Sequence, residues 1–222
     1  ALGVRIEHPQ PLINRIQYGS FANHPKLPNA SYRVAETVEG RGVFSFCMCP
    51  GGFVVPASTE PGELVVNGMS LSRRDSPYAN SGLVIGIEPS DVEQAGFQGV
   101  LGGVELQRRI ERSCFAASSG ELSAPATRVT DFLARKGSTT LPATSYIPGL
   151  TPTDVAPILD SGGLKLADRL RGALAVFDRK LRGYRTEEAV LIGVESRTSS
   201  PVRVPRDPET LEAPGFSGLY PC

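Results

Sequence analysis

The feature that most constrains the fold is a change of hydrophobic period along the chain, from strand-like to helical and back to strand-like. Between Gly3 and Ile87, short apolar or alternating segments are separated by Gly, Pro and Asn. They are GVRIEH, SYRVAETV, GVFSFCMC, GFVVPA, GELVVNGMS and SGLVIGIE. Short strands divided by turn residues are typical of antiparallel sheets and small barrels. This part of the chain therefore predicts an antiparallel β-sheet or a small β-barrel.

From Ser90 onward the apolar residues recur at helical spacing. The segment VLGGVELQRRIERSCFAA predicts one helix, and RVTDFLARK and DVAPILD predict two shorter ones. The clearest helix is LKLADRLRGALAVFDRKLRGY, in which Leu166, Leu170, Leu174, Phe177 and Leu181 fall on one face. The segments SSGELSAPAT and GSTTLPATSYIPGLTP, rich in polar residues and Pro, are interpreted as loops.

The strand pattern returns in EAVLIGVES and SPVRVPRD, and FSGLYPC is expected to form a closing strand. The order β, α, β predicts an α+β fold, an antiparallel sheet or small barrel with an inserted helical subdomain. We expect a β subdomain formed by residues 1–90 plus 189–222 and a helical subdomain formed by residues 91–188.

The charge balance excludes several classes of partner. The chain has 23 basic and 23 acidic side chains, so no excess of positive charge favours nucleic acid or an anionic membrane. No apolar run reaches the roughly 18 residues of a membrane span. We expect a soluble protein that binds a small molecule. Four cysteines without regular spacing indicate reduced thiols, as in the cytoplasm.

The segment FCMCPGG places Cys47 and Cys49 on the same face of a predicted strand. A zinc site needs about four ligands, and no second Cys or His pair stands at ligand spacing, so no metal site is predicted. The other Cys and His residues are isolated: His8, His24, Cys114 and Cys222. A redox pair stays open, although the helix N-terminus that activates Cys-x-x-Cys thiols is missing. Two small buried strand residues are the preferred interpretation.

A polar cluster, ESRTSSPVR, lies between apolar segments near the end of the chain. It combines Glu195, Arg197, Thr198, Ser199, Ser200 and Arg203. An Arg side chain keeps its charge and can bind a carboxylate or stabilise an anion, and hydroxyls supply neutral hydrogen bonds. The alternative is structural, with Arg197 paired to Glu195. The sequence has no Gly-x-Ser-x-Gly motif and no Gly-rich phosphate loop. His8 is interpreted as a turn residue at a strand end rather than a catalytic base.

Five segments resemble one family. They are GVRIEHPQ, GRGVFSFCMCPGGFVVPAS, VVNGMSLSRRDSPYANSGLVI, GVESRTSSPVRVPRD and GLYPC. They are similar to the middle segment of the bacterial and plastid FAD-dependent dehydrogenases, and the resemblance covers nearly the whole chain. In that family a Rossmann-type half with Gly-x-Gly-x-x-Gly precedes this segment and a second Gly-rich flavin-binding stretch follows it. Neither stretch is in this sequence.

The resemblance implies an insert domain on the substrate side of an FAD-dependent oxidoreductase, in bacterial cytoplasm or plastid stroma. FAD would belong to the longer parent protein and not to this chain alone, with NAD(P)H as a candidate reductant. The flanking FAD-binding domain and a small-molecule substrate would be the partners. The cluster ESRTSSPVR, with Cys47 and Cys49, would face the substrate or flavin. The alternatives are a non-catalytic binding module for a protein or other macromolecule, and a thiol redox protein using Cys47 and Cys49.

Overall fold

The computed structural model describes residues 1–119, 122–198 and 204–221 of an α+β chain, so the predicted fold class is confirmed. The strands are β1 Leu2–Pro9, β2 Ala35–Val38, β3 Arg41–Cys49, β4 Phe53–Pro56, β5 Val66–Met69, β6 Tyr78–Ile85, β7 Ala124–Arg128, β8 Leu150–Pro152 and β9 Val190–Glu195. The helices are α1 Gln10–Tyr18, α2 Pro89–Gln94, α3 Gly102–Ala116, α4 Val129–Leu133, α5 Ala156–Asp160 and α6 Leu166–Lys180.

Seven strands form one sheet in the order β2-β3-β6-β1-β9-β7-β8. All pairs are antiparallel except β7 with β8. Strands β2 and β8 end this order without pairing to each other in the described residues, so the sheet is open and not a closed barrel. Strands β4 and β5 form a separate antiparallel ladder. Strand β1 therefore lies in the middle of the sheet, between β6 and β9.

Alternation along β1 sends its polar side chains to two different faces of the sheet. Arg5 and Glu7 point to the face covered by the β4–β5 ladder: a Cβ on Gly68 would touch Arg5, and Glu7 binds Ser145. His8 points to the other face, where it contacts Tyr184. Both faces of β1 are buried, so each of these polar groups requires a partner inside the protein.

Helix α6 supplies much of the core on the His8 side. Leu166, Leu170, Leu174 and Phe177 are buried as the spacing predicts, and the helix packs against β2, β3 and β6. Helix α3 packs against β7 and β9. A Cβ added to Gly193 of β9 would lie 3.5 Å from both Cys114 of α3 and Val66 of β5. Helix α3 and strand β5 therefore share one face of the sheet, opposite the face covered by α6.

The prediction that FSGLYPC forms a closing strand is wrong. Residues 216–221 contain no strand, and turns at 214–215 and 217–218 include Gly215 and Gly218, whose φ values are 82° and 78°. Ala213 N–H donates to the Leu219 carbonyl at 2.8 Å, which shows that the chain folds back on itself. Positive φ values break an extended strand and are readily adopted by glycine. Of the predicted strand SPVRVPRD, residues 200–203 lie outside the described residues, and 204–207 are not in a strand.

Six predicted N-terminal strands and the strand EAVLIGVES are present, as are the predicted helices around α3, α4, α5 and α6. Two strands were not expected, because β7 and β8 lie in the segments interpreted as loops. Both belong to the large sheet although they fall within residues 91–188. The division into a β and a helical subdomain stays a prediction.

Candidate functional site

Arg5 is the centre of a buried polar group that we call the Arg5 cluster, made of Arg5, Glu195, Asn80, Cys47 and Cys49. Arg5 Nη1 donates to both carboxylate oxygens of Glu195 at 2.8 Å, and Arg5 Nε donates to Asn80 Oδ1 at 2.8 Å. Arg5 Nη2 lies 2.5 Å from the Cys47 carbonyl oxygen and 3.4 Å from Cys49 Sγ. Three strands therefore supply partners for one guanidinium, which lies on a fourth.

Two glycines make room for this ion pair. An added Cβ would lie 1.8 Å from Arg5 Nη2 at Gly68 and 3.0 Å from the Glu195 carboxyl carbon at Gly82. Any larger residue at Gly68 would therefore displace the guanidinium or the β4–β5 ladder. Glycine at this position reflects the close approach of a backbone to a buried charge.

Burial raises the pKa of Glu195, and the charge and hydrogen bond of Arg5 act against this shift. Burial lowers the pKa of Arg5, but the charge and hydrogen bonds of Glu195 outweigh this effect and leave it above its usual value. A guanidinium does not lose its proton in a protein, so the carboxylate opposite it is needed to balance the buried charge. Asn80 Nδ2, beside the pair, has no hydrogen-bond partner among the described residues.

The two cysteines of FCMCPGG have different surroundings. Cys49 is buried and its thiol donates to the Cys47 carbonyl at 3.4 Å, while Cys47 is exposed. Cys47 has a φ of 45°, and the register between β3 and β6 shifts between Phe46 and Cys49, which marks a β-bulge. The bulge turns the Cys47 carbonyl toward Arg5. The expectation that both cysteines are buried is therefore wrong for Cys47.

Arg197 belongs to a second group, the Glu111 cluster, made of Glu111, Glu63, Arg197, Ser196 and Thr59. Arg197 Nη2 lies 2.8 Å from Glu111 Oε2 and 3.7 Å from Glu63 Oε2. Ser196 Oγ donates to Glu111 Oε1 at 2.5 Å, and Arg197 Nη1 donates to Thr59 Oγ1 at 2.5 Å. This cluster ties the end of β9 to helix α3 and to the loop before β5.

The two carboxyl groups of this cluster have opposite pKa shifts. Burial raises the pKa of Glu63, and the adjacent charge of Glu111 raises it further. Burial also acts to raise the pKa of Glu111, but hydrogen bonds from Arg197, Ser196 and Gln107 reverse the shift and lower it. The cluster therefore favours the ionised form of Glu111 more than that of Glu63. Arg197 remains 29% exposed, so one edge of the cluster reaches the surface.

Glu7 and His8, the other polar residues of β1, contact residues outside both clusters. Glu7 accepts hydrogen bonds from the Ser145 hydroxyl, from Ser145 N–H at 3.0 Å and from Thr144 Oγ1 at 2.7 Å. Burial raises the pKa of Glu7 against these hydrogen bonds. His8 is fully buried, with Nε2 2.9 Å from the Tyr184 carbonyl, and burial lowers its pKa to about 4. His8 Nδ1 has no hydrogen-bond partner among the described residues.

The structure divides the predicted site residues between the two clusters. Glu195, Cys47 and Cys49 meet at Arg5, whereas Arg197 joins Glu111, and Thr198 follows it as a half-buried residue. The alternative interpretation, an ion pair between Arg197 and Glu195, is wrong, because β9 ends at Glu195 and Arg197 beyond it pairs with Glu111. Three predicted site residues lie outside the described residues: Ser199, Ser200 and Arg203.

The sequence analysis did not identify Arg5, Asn80, Glu63 or Glu111 as site residues. The only signal for Arg5 was its position between Val4 and Ile6 in the segment GVRIEH, whose alternation of apolar and polar residues equally suits a solvent-exposed face. Glu111 and Glu63 carried no such signal, since each stands in a sequence where a solvent-exposed carboxylate is equally expected.

In the described part of the chain, no group of three or more His, Cys, Asp or Glu side chains could hold a metal ion. No helix formed by the described residues is both long enough and apolar enough to cross a membrane.

The fold and the buried charged clusters define an α+β domain organised around an arginine–carboxylate pair. Residues 1–198 match the family described as FAD-dependent protein, C-terminal domain-like, and the chain belongs to this family. The chain is 44% identical over 225 residues to a protein of Clostridium beijerinckii described as an uncharacterized protein. The alignment covers 100% of this chain and 41% of that protein, so the chain spans less than half the length of its relative.

The described residues do not fit a complete dinucleotide site. Such a site places the pyrophosphate at a Gly-rich turn between a strand and a helix N-terminus. Strand β1 runs directly into α1 through Pro9, Gln10 and Pro11, so this turn has two prolines and no glycine. The turns from β7 into α4 and from β8 into α5 have no glycine, and the turn from β6 into α2 has one, Gly86, so none is Gly-rich.

Proposed function

We propose that this chain is the substrate-side domain of an FAD-dependent oxidoreductase whose flavin-binding residues lie elsewhere in a longer polypeptide. The observation that carries the proposal is the match of residues 1–198 to an FAD-dependent protein family. The relative that extends well beyond the aligned region supports a multidomain parent. The missing Gly-rich turns support a division of labour, in which another domain holds the cofactor and this domain shapes the pocket and excludes water.

The Arg5 and Glu111 clusters are the parts of the chain that we assign to this pocket. They are linked through consecutive residues at the end of β9, with Glu195 in the first and Ser196 and Arg197 in the second. Arg197 is the member with a partly exposed guanidinium, so it is the group that we assign to an anionic ring or substrate carboxylate. Arg5 is fully buried and would act by holding the strand ends in place.

The family description favours this proposal over the other two. It names FAD, and it indicates neither a macromolecule-binding module nor a thiol redox protein. The same description gives no support for NAD(P)H as the reductant.

The role of Arg197 can be tested in the longer protein by measuring the midpoint potential of its flavin. We expect Arg197→Met to lower the two-electron potential by about 30 mV or more, because about 1.4 kcal/mol of stabilisation of the reduced anion is removed. The matched control is Ser196→Ala, which also removes a hydrogen bond to Glu111 but leaves the charge of Arg197 in place. Both variants should lose stability, and Ser196→Ala should keep the wild-type potential. Equal potentials in Arg197→Met and wild type would contradict this placement of Arg197.

A further inference from the structure

A cavity of about 460 Å³ lies beside the Arg5 cluster. Its polar lining comes from Asn29, Ser70, Ser72, Arg73 and Arg74. This volume falls within the roughly 300–1,000 Å³ of small-molecule sites. The chain as a whole has no net charge, so two adjacent arginines at one cavity are a local feature and not a consequence of a basic surface.

The two arginines differ in whether their charge is already balanced. Arg73 Nε pairs with Asp75 Oδ2 at 2.9 Å. Within the described residues, the Arg74 guanidinium has no carboxylate oxygen within 4.0 Å. No acidic residue lines the cavity. Arg74 therefore leaves an uncompensated positive charge at the cavity.

The turn that presents Arg74 is held by a series of amide side chains. Asn29 Nδ2 donates to the Arg74 carbonyl at 2.7 Å, and Asn14 Nδ2 donates to Asn29 Oδ1 at 3.2 Å. Gln10 in turn donates to Asn14 Oδ1 at 2.9 Å and accepts from the Gly51 N–H at 2.6 Å. The series joins helix α1, the Pro-Gly-Gly turn and the arginine turn.

The backbone conformation of Arg74 would be energetically unfavourable without these hydrogen bonds. Its φ is 50°, a left-handed conformation that non-glycine residues rarely adopt. A Cβ on Gly51 would lie 1.8 Å from the Arg74 carbonyl oxygen, so the two turns are in direct contact. A conformation of this kind persists only where its surroundings fix it, and such positions concentrate at ligand sites.

The cavity is also close to the Arg5 cluster. Ser70, which lines the cavity, follows the end of β5 and stands two residues after Gly68, where an added Cβ would lie 1.8 Å from Arg5 Nη2. Cys49 lies 3.4 Å from Arg5 Nη2. A ligand seated beside Arg74 would therefore lie next to the residues that we assign to the substrate pocket.

From this geometry we propose that the cavity beside Arg74 binds the oxyanion group, carboxylate or phosphate, of a small-molecule substrate. Arg74 supplies the charge, and the Ser70 and Ser72 hydroxyls and the Asn29 side chain supply neutral polar contacts. The identification of the ligand as a substrate rests on the proposed function, whereas anion binding at Arg74 does not.

The first test measures binding of inorganic pyrophosphate and of succinate to this chain by calorimetry at fixed ionic strength, without flavin. We expect saturable binding of at least one probe, weakened 10-fold or more by Arg74→Met. Arg73→Met should weaken it less, because Arg73 is paired with Asp75. Arg182→Met is the control, since Arg182 is exposed and does not line the cavity, and it should bind as wild type. No saturable binding of either probe, or equal binding by Arg74→Met and wild type, would overturn the proposal.

A second arm identifies the source of the anion by repeating the titration on the longer protein with FAD bound. If pyrophosphate or succinate still binds with FAD in place, and Arg74→Met still weakens that binding, the result supports a cavity that takes the oxyanion group of a substrate. Loss of binding on FAD loading would assign the cavity to the cofactor pyrophosphate and overturn the assignment to a substrate. Because the first arm contains no flavin, its failure is distinguishable from failure of the proposed flavoprotein function.

Discussion

Arg5 and Glu195 form an ion pair in which both side chains are at most 1% exposed and Arg5 Nη1 lies 2.8 Å from each carboxylate oxygen. Removing one partner leaves the other as an unpaired buried charge, which costs about 3–5 kcal/mol. We therefore expect Arg5→Met and Glu195→Gln each to lower the free energy of unfolding by about this amount. Urea denaturation of the singles and of Arg5→Met/Glu195→Gln tests this, since the double variant should lose less than the sum of the two singles.

Any side chain at Gly68 should destabilise the protein, because a Cβ there would occupy the position of the Arg5 guanidinium. We expect Gly68→Ala to lower the free energy of unfolding by about 1–3 kcal/mol through overpacking. Gly103→Ala is the control, since Gly103 lies in α3, is exposed and has nothing within 4 Å of an added Cβ. That variant should gain up to about 1 kcal/mol from helix propensity. A Gly68→Ala protein as stable as wild type would contradict the described contact.

His8 should make the protein less stable in acid. Burial lowers its pKa from 6.5 to about 4, so the unfolded chain binds this proton more readily than the folded chain. Stability should therefore fall as the pH falls from 6.5 to about 4, by a total on the order of 3 kcal/mol from this group. Thermal unfolding of His8→Gln across this range should show a weaker pH dependence. His24→Gln should match wild type, because His24 is exposed.

The exposure of the cysteines predicts an order of alkylation. Cys47 is exposed, whereas Cys114 is fully buried, and burial raises its pKa to about 12. Because the thiolate is the reactive form, iodoacetamide should label Cys47 well before Cys114 in the folded protein. Peptide mapping by mass spectrometry measures both rates, and unfolding in urea should remove the difference. Equal rates without denaturant would show that Cys114 is accessible.

The strands and helices predicted from the sequence are those whose side chains have a clear period. Strand β1 and helix α6 are examples, since burial on their faces dictates the spacing of apolar residues. Strand β7, APATR, was not predicted because its residues are small and include Pro125; pairing with β9 and β8 establishes the strand. Tertiary pairing of this kind has no local signal.

The candidate site was only partly predictable for a related reason. The sequence pointed to Glu195 and Arg197 through the local density of polar residues, but their partners come from distant positions, Arg5 and Glu111. The distribution of Glu195 and Arg197 between two clusters follows from the end of β9 at Glu195 and from the packing of α3, which carries Glu111, beside it. The bulge at Cys47 likewise depends on pairing with β6, which a strand pattern alone does not specify.

The central claim, that this domain serves a flavin held elsewhere in a longer protein, is tested most directly by flavin retention. The measurement is the flavin absorbance per protein chain after purification, made on the longer protein and on this 222-residue chain. We expect about one FAD per chain in the longer protein and none in this chain, which lacks a Gly-rich pyrophosphate turn in its described residues. Stoichiometric FAD retained by this chain alone, or a longer protein that binds no flavin, would contradict the account.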